Sequence, residues 1–102
     1  MPSNEGFTYR VVTEQDPGAL SRVLEFFALN NHVPECLTAN RRGEDEMEVE
    51  VTVPDLEYTR ARVIAAKIGQ LVPVRHVRLF ATRRKAMVGA SGGLMEFTEV
   101  LV

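Results

Sequence analysis

The sequence predicts an α+β fold in which a four-stranded antiparallel sheet carries two helices on one face. Three observations predict it. Apolar and polar residues alternate near 7–13, 46–53 and 72–80, as half-buried strands require. Apolar residues recur at three- and four-residue spacing after Asp16 and after Pro54, as amphipathic helices require. The order of these segments is strand, helix, strand, strand, helix, strand, and this arrangement is the economical way to hide every apolar face at once.

Phe7 to Thr13 opens the chain as a strand, with Phe7, Tyr9 and Val11 on one face and Thr8 and Arg10 on the other. Asp16 suits a helix N-cap, and Pro17 suits the first helical position because its missing N–H has no partner there. The helix is expected to run to Asn30 or Asn31, with an apolar stripe of Leu20, Val23, Leu24, Phe27 and Ala28. Asn tolerates a left-handed backbone and so makes a plausible stop. Val33 to Asn40 reads as the second strand, and Arg42-Gly43-Glu44-Asp45 as a hairpin turn. From Glu46 to Val53, Met47, Val49, Val51 and Val53 face one way while Glu46, Glu48, Glu50 and Thr52 face the other. Pro54-Asp55 ends that strand, and a helix from Leu56 to about Gln70 follows, its stripe formed by Ala61, Ile64, Ala65, Ile68 and Leu71. Val72 to Phe80 is the last strand.

The whole is a ferredoxin-like βαββαβ sandwich. Its first and third strands are neighbours, so Arg10 should meet Glu48 or Glu50 in a cross-strand pair of about 0.2–1 kcal/mol. Residues 6–81 form this domain and residues 82–102 an extension. In the extension, Gly89-Ala90-Ser91-Gly92-Gly93 has linker composition. Leu94 to Val102 is either disordered or docks as an added strand on its own or a partner subunit.

Composition narrows the function. A chain of 102 residues with 45% apolar and 25% charged residues is expected to be one soluble domain. A net charge of −2 offers no general attraction to phosphate backbones or anionic membranes. Cys36 is the only cysteine, which excludes an intrachain disulfide. Neither a signal peptide nor a membrane span is readable, and a cytoplasmic location is expected.

No catalytic constellation is legible. The acidic row Glu46, Glu48, Glu50 reads as a solvated sheet face with no His, Lys or nucleophile beside it. The same row opposes RNA binding, which needs aromatic and basic residues on the open face. His32 and His76 lack a second ligand at metal spacing, and Cys36 reads as a small hydrophobe, so no metal or cofactor is expected. Phe26 and Leu29 lie off the apolar stripe of their helix, which marks them as candidate interface residues.

Asp16-Pro17-Gly18-Ala19-Leu20-Ser21-Arg22-Val23-Leu24, following a strand, resembles the opening of an ACT domain. With His32-Val33-Pro34-Glu35-Cys36-Leu37-Thr38 and Ile68-Gly69-Gln70-Leu71-Val72-Pro73-Val74, it is similar to the small regulatory subunit of acetolactate (acetohydroxyacid) synthase, in its short, single-ACT form. The resemblance implies a non-catalytic subunit of branched-chain amino-acid biosynthesis that activates a thiamine-diphosphate-dependent large subunit. It also implies a side-by-side homodimer through the sheet and first helix. A small amino-acid effector would sit at Gln15, Asp16, Gly18 and Ala19, with Val33 also placed there. Gln15 and Val33 stand where members that bind valine carry Asn, which implies activation without valine sensitivity. A free-standing amino-acid sensor is the alternative reading.

Overall fold

The computed structural model describes residues 5–86 and 93–100. In chain order the elements are β1 (Glu5–Glu14), α1 (Ala19–Leu29), β2 (Cys36–Arg42), β3 (Glu46–Pro54), α2 (Tyr58–Gly69), β4 (Val74–Ala86) and β5 (Gly93–Val100). They form the expected antiparallel sandwich with one strand more, in the sheet order β2-β3-β1-β4-β5.

The inward face of the sheet is the one the alternation predicts. Tyr9, Val11, Val49, Val51 and Val53 are completely buried, and α1 and α2 lie over them. From α2 the core receives Ala61, Ile64, Ala65 and Ile68, four of the five expected residues, while Leu71 packs at its margin. Tyr9 ties the two layers together. Its ring meets Phe27 edge-on at 5.1 Å and its hydroxyl donates to the Ala61 carbonyl at 2.9 Å. Burial pushes the Tyr9 hydroxyl pKa well up, so the group stays a donor.

The outward face is an ion-pair lattice. Arg10 sits opposite Glu50 in the β1–β3 register, and Nε donates to the Glu50 carboxylate at 2.9 Å with Glu48 at 3.9 Å, as the alternation predicts. Arg10 and Arg78 both lie about the Phe80 ring, at 5.0 and 5.1 Å from its centroid. Beneath these long side chains Thr8 and Thr52 share a hydrogen bond of 2.8 Å, so the hydroxyls buried on this face are paired.

Several boundaries differ from expectation. The α-helix begins at Ala19 rather than Pro17, because a tight turn precedes it in which Ala19 N–H bonds the Asp16 carbonyl. Its buried stripe is Ala19, Val23 and Phe27; Leu20, Leu24 and Phe26 are half-buried beside it, and Ala28 is exposed. The stop is as expected. Asn31 takes φ +61°, and His32 N–H returns to the Phe27 carbonyl while Asn31 N–H bonds Ala28, which closes the helix end. The second strand starts at Cys36, not Val33, since Pro34 has no N–H to pair and Val33 is 81% exposed. The last strand of the sandwich runs on to Ala86, beyond the expected end at Phe80, because β5 gives it a partner.

That fifth strand resolves the choice left open for the C-terminal segment, as far as Val100. It pairs antiparallel with β4 of its own chain, Val100 packs on the core margin, and Arg78 grips Glu99 with two bonds of 3.0 and 2.7 Å. The Arg78 bonds hold the Glu99 carboxyl below the usual carboxylate range. A carboxyl depressed in the folded state stabilises above its unfolded pKa, and that contribution disappears as pH falls through the lowered value. Protection of the β5 amides, corrected for the pH dependence of intrinsic exchange, is therefore expected to fall on acidification before that of β1 does, and Arg78→Ala is expected to remove that step. Equal acid sensitivity in the two strands would contradict it.

Candidate functional site

The segment joining β1 to α1 is anchored, not free. Glu14 N–H bonds the Pro73 carbonyl, Gln15 N–H the Asp45 carbonyl, and the Gln15 side-chain amide reaches the carbonyls of Glu46 and Gly43 at 3.1 and 3.4 Å. Gly43, at φ +63°, makes the hairpin turn that Gln15 holds. A bulge in the β1–β4 pairing between Val12 and Thr13 leaves Arg75 unpaired in the ladder. Its guanidinium reaches the same hairpin, at 2.6 Å from Glu46 and 3.5 Å from Asp45. The loop and the hairpin thus form one rigid corner.

Within that corner the Asp16 carboxylate accepts the Gly18 N–H at 2.8 Å, closing an Asx turn ahead of the helix; the N-cap position is Gly18 rather than the expected Asp16, and no side chain caps α1. Ala19 is wholly buried, Pro17 exposed, and Gln15, Asp16 and Gly18 half-buried. Gly18 has ordinary helical angles, φ −83° and ψ −11°, and an added Cβ would meet nothing nearer than 3.5 Å. Nothing inside the protomer requires glycine there.

Val33 does not join these residues. It lies beyond the far end of α1, which at 11 residues is about 16 Å long. Around Val33 the chain forms two clefts that sequence reasoning missed. An apolar groove of about 380 Å³ runs between α1 and the edge strand β2, lined by Leu24, Phe27, Ala28, His32, Pro34 and Leu37. Leu29, at 76% exposure, and Val33 stand out from the same end of the molecule. Phe26 lies half-buried against the core. A polar cleft of about 490 Å³ separates the end of α1, residues 29–32, from residues 55–57 and Arg60 at the start of α2. His32 borders both. The two segments of the polar cleft are some 25 residues apart, and the Asn30–Arg60 hydrogen bond of 3.1 Å joins them, so no local pattern could announce it.

Among the described residues nothing pairs with the outer edge of β2. All seven residues of β2 are exposed, and β3 satisfies only one side of its backbone. Among the described residues no three His, Cys, Asp or Glu side chains gather to hold a metal, and no helix is long and apolar enough to cross a membrane.

The sequence pattern of the ACT-like domain family matches residues 3–86. The chain belongs to that family. ACT-like domains are regulatory modules, not catalysts. Solved structures agree on the fold. The ACT domain of GTP pyrophosphokinase from Chlorobium tepidum superposes with a TM-score of 0.64 at 10% identity, covering 76% of this chain and 99% of that one. The C-terminal domain of the MgtC protein from Mycobacterium tuberculosis superposes with a TM-score of 0.63 at 14% identity, covering 76% and 86%. A comparison with curated protein sequences finds no match.

Proposed function

We propose that this ACT-like domain is a regulatory subunit that works as a pair of copies joined along β2 and raises the activity of a separate catalytic subunit. The single observation that carries this reading is the bare β2 edge beside an apolar groove, which is a poor surface to leave in water. A second copy supplies what is missing. Two-fold pairing of β2 with itself sets the start of one strand beside the end of the other. The end of β2 adjoins Gly43, to which Gln15 is bonded, so Val33 of one copy approaches Gln15, Asp16, Gly18 and Ala19 of the other. Val33, remote from the corner of its own protomer, joins such a corner into a single effector site only in such a pair. The unconstrained Gly18 supports this, since its bare backbone leaves room for a ligand or a second chain.

The catalytic partner is the acetolactate synthase large subunit, on the resemblance of residues 16–24, 32–38 and 68–74. Sedimentation should show a dimer, and Leu37→Lys, which puts a charge into the groove, should return it to monomer without loss of fold. Titrated into the large subunit, the wild-type chain should raise kcat. A monomer at all concentrations overturns the pairing. Absence of both complex and rate change overturns the partner, and a dimer that takes up an amino acid yet leaves the enzyme unmoved is a free-standing sensor.

A further inference from the structure

We propose that Arg75 is a positioning residue for the β2 edge: it straps the root of the β1–α1 corner to the β2–β3 hairpin, and so links that corner to the pairing of copies. This role rests on the pairing along β2 proposed above and supplies its regulation. A regular β1–β4 ladder would continue from Val12 and His76 to set Arg75 opposite Thr13, on the helix-covered face with Val77 and Leu79. The bulge puts the buried Val74 opposite Thr13 instead and leaves Arg75 exposed. Bulges re-aim side chains in this way. Two guanidinium nitrogens of Arg75 then reach two carboxylates, Glu46 at 2.6 Å and Asp45 at 3.5 Å. Between β4 and β3 lies β1, with Glu14 opposite Glu46. The ion pair therefore spans the end of β1, where the chain leaves the sheet for the corner.

Glu46 is where four strands are tied together. Its backbone stands opposite Glu14 of β1 and Arg42 of β2, and its carboxylate takes Arg75 of β4. Its carbonyl also accepts the Gln15 side-chain amide at 3.1 Å. A shift of the corner thus moves Glu46 and, through the turn at Gly43, the end of β2. Little side-chain packing fixes that strand, since all seven of its residues are exposed. Exposed ion pairs contribute little inside a well-packed structure, but here one helps to place an edge strand that has few other ties. Linkage is reciprocal: a corner that displaces the β2 edge is itself displaced when that edge pairs.

The test uses the full chain. Sedimentation equilibrium gives the dimer constant, and amide chemical shifts over a dilution series show how far pairing is felt. Arg75→Ala is expected to weaken pairing about tenfold, about threefold for the strap in each copy, within what exposed ion pairs contribute. Arg75→Glu should weaken it further, and Arg75→Glu combined with Glu46→Arg should restore it, which a mere change of packing would not do. In the wild type, the amides of Leu71, Val72 and Val74, across β1 from the paired edge, should shift as the dimer forms, and in Arg75→Ala they should stay still. A wild-type chain that remains monomeric overturns the pairing and this role with it. A wild-type dimer whose Arg75→Ala form pairs equally tightly overturns the role alone, as does a charge-swapped chain that pairs no better than Arg75→Glu.

Discussion

Phe27→Ala is expected to lower stability by about 3–5 kcal/mol, since it removes a ring from a core that cannot collapse to fill the space. Phe27 is 1% exposed, meets the Tyr9 ring edge-on, and lines the groove beside β2. For a domain of this size the loss amounts to a fall in melting temperature of about 15–30 °C, a large part of a total stability of about 5–15 kcal/mol. Phe27→Leu, which keeps most of the volume, should cost under about 1.5 kcal/mol. Thermal unfolding followed by circular dichroism at one fixed protomer concentration reads both, and similar melting temperatures for the two variants would refute the packing account. Because Phe27 belongs to core and groove together, the surface proposed to bind a second copy is held by the residue that holds the fold.

Gly6→Ala is expected to cost about 3 kcal/mol or more, for a different reason. Gly6 pairs with Pro54 in the β1–β3 ladder, and a Cβ built on it stands 2.4 Å from the Val53 carbonyl oxygen and 2.9 Å from the Pro54 Cα. Both are backbone atoms of the neighbouring strand, so no side-chain rotation relieves the clash; the strands must part. Gly69→Ala is the natural control. A Cβ there meets only the Val77 methyl at 3.9 Å, and replacing glycine at the end of α2 should raise stability by about 0.5 kcal/mol. Urea unfolding of the two variants separates steric from entropic effects, and equal shifts of the same sign would contradict this reading of Gly6.

The parts of the fold that were legible in the sequence are those in which one face is wet and the other dry. Glu46 to Val53 could be read residue by residue because each side chain reports its face. On α1 the reading was right at Val23 and Phe27, missed Ala19 and took in flanking residues. Leu20, Leu24 and Ala28 lie next to Ala19, Val23 and Phe27 on the helix surface, and the small Ala19 is the more deeply buried while Leu20 is not. Apolar size misleads where a helix packs closely on a sheet. Val33 read as strand for the same reason, yet the helix stop at Asn31 and the missing N–H of Pro34 keep it out of the ladder. Of the candidate site, the corner at residues 15–19 was legible because turn chemistry is local. The clefts at the other end of α1 were not, since they form only when residues far apart in the chain meet.

The placement of β1 at the middle of the sheet also governs how the chain reaches this structure. Its partners are distant in sequence: Arg10 pairs with Glu50 on one side and Arg78 on the other. The outer hairpins, by contrast, join residues such as Arg42 and Glu46, or Ala86 and Gly93. Closing the long loops costs entropy before any central contact repays it. The hairpins at the margins are thus expected to be the cheap early steps, with recruitment of the opening segment between them expected to set the folding rate.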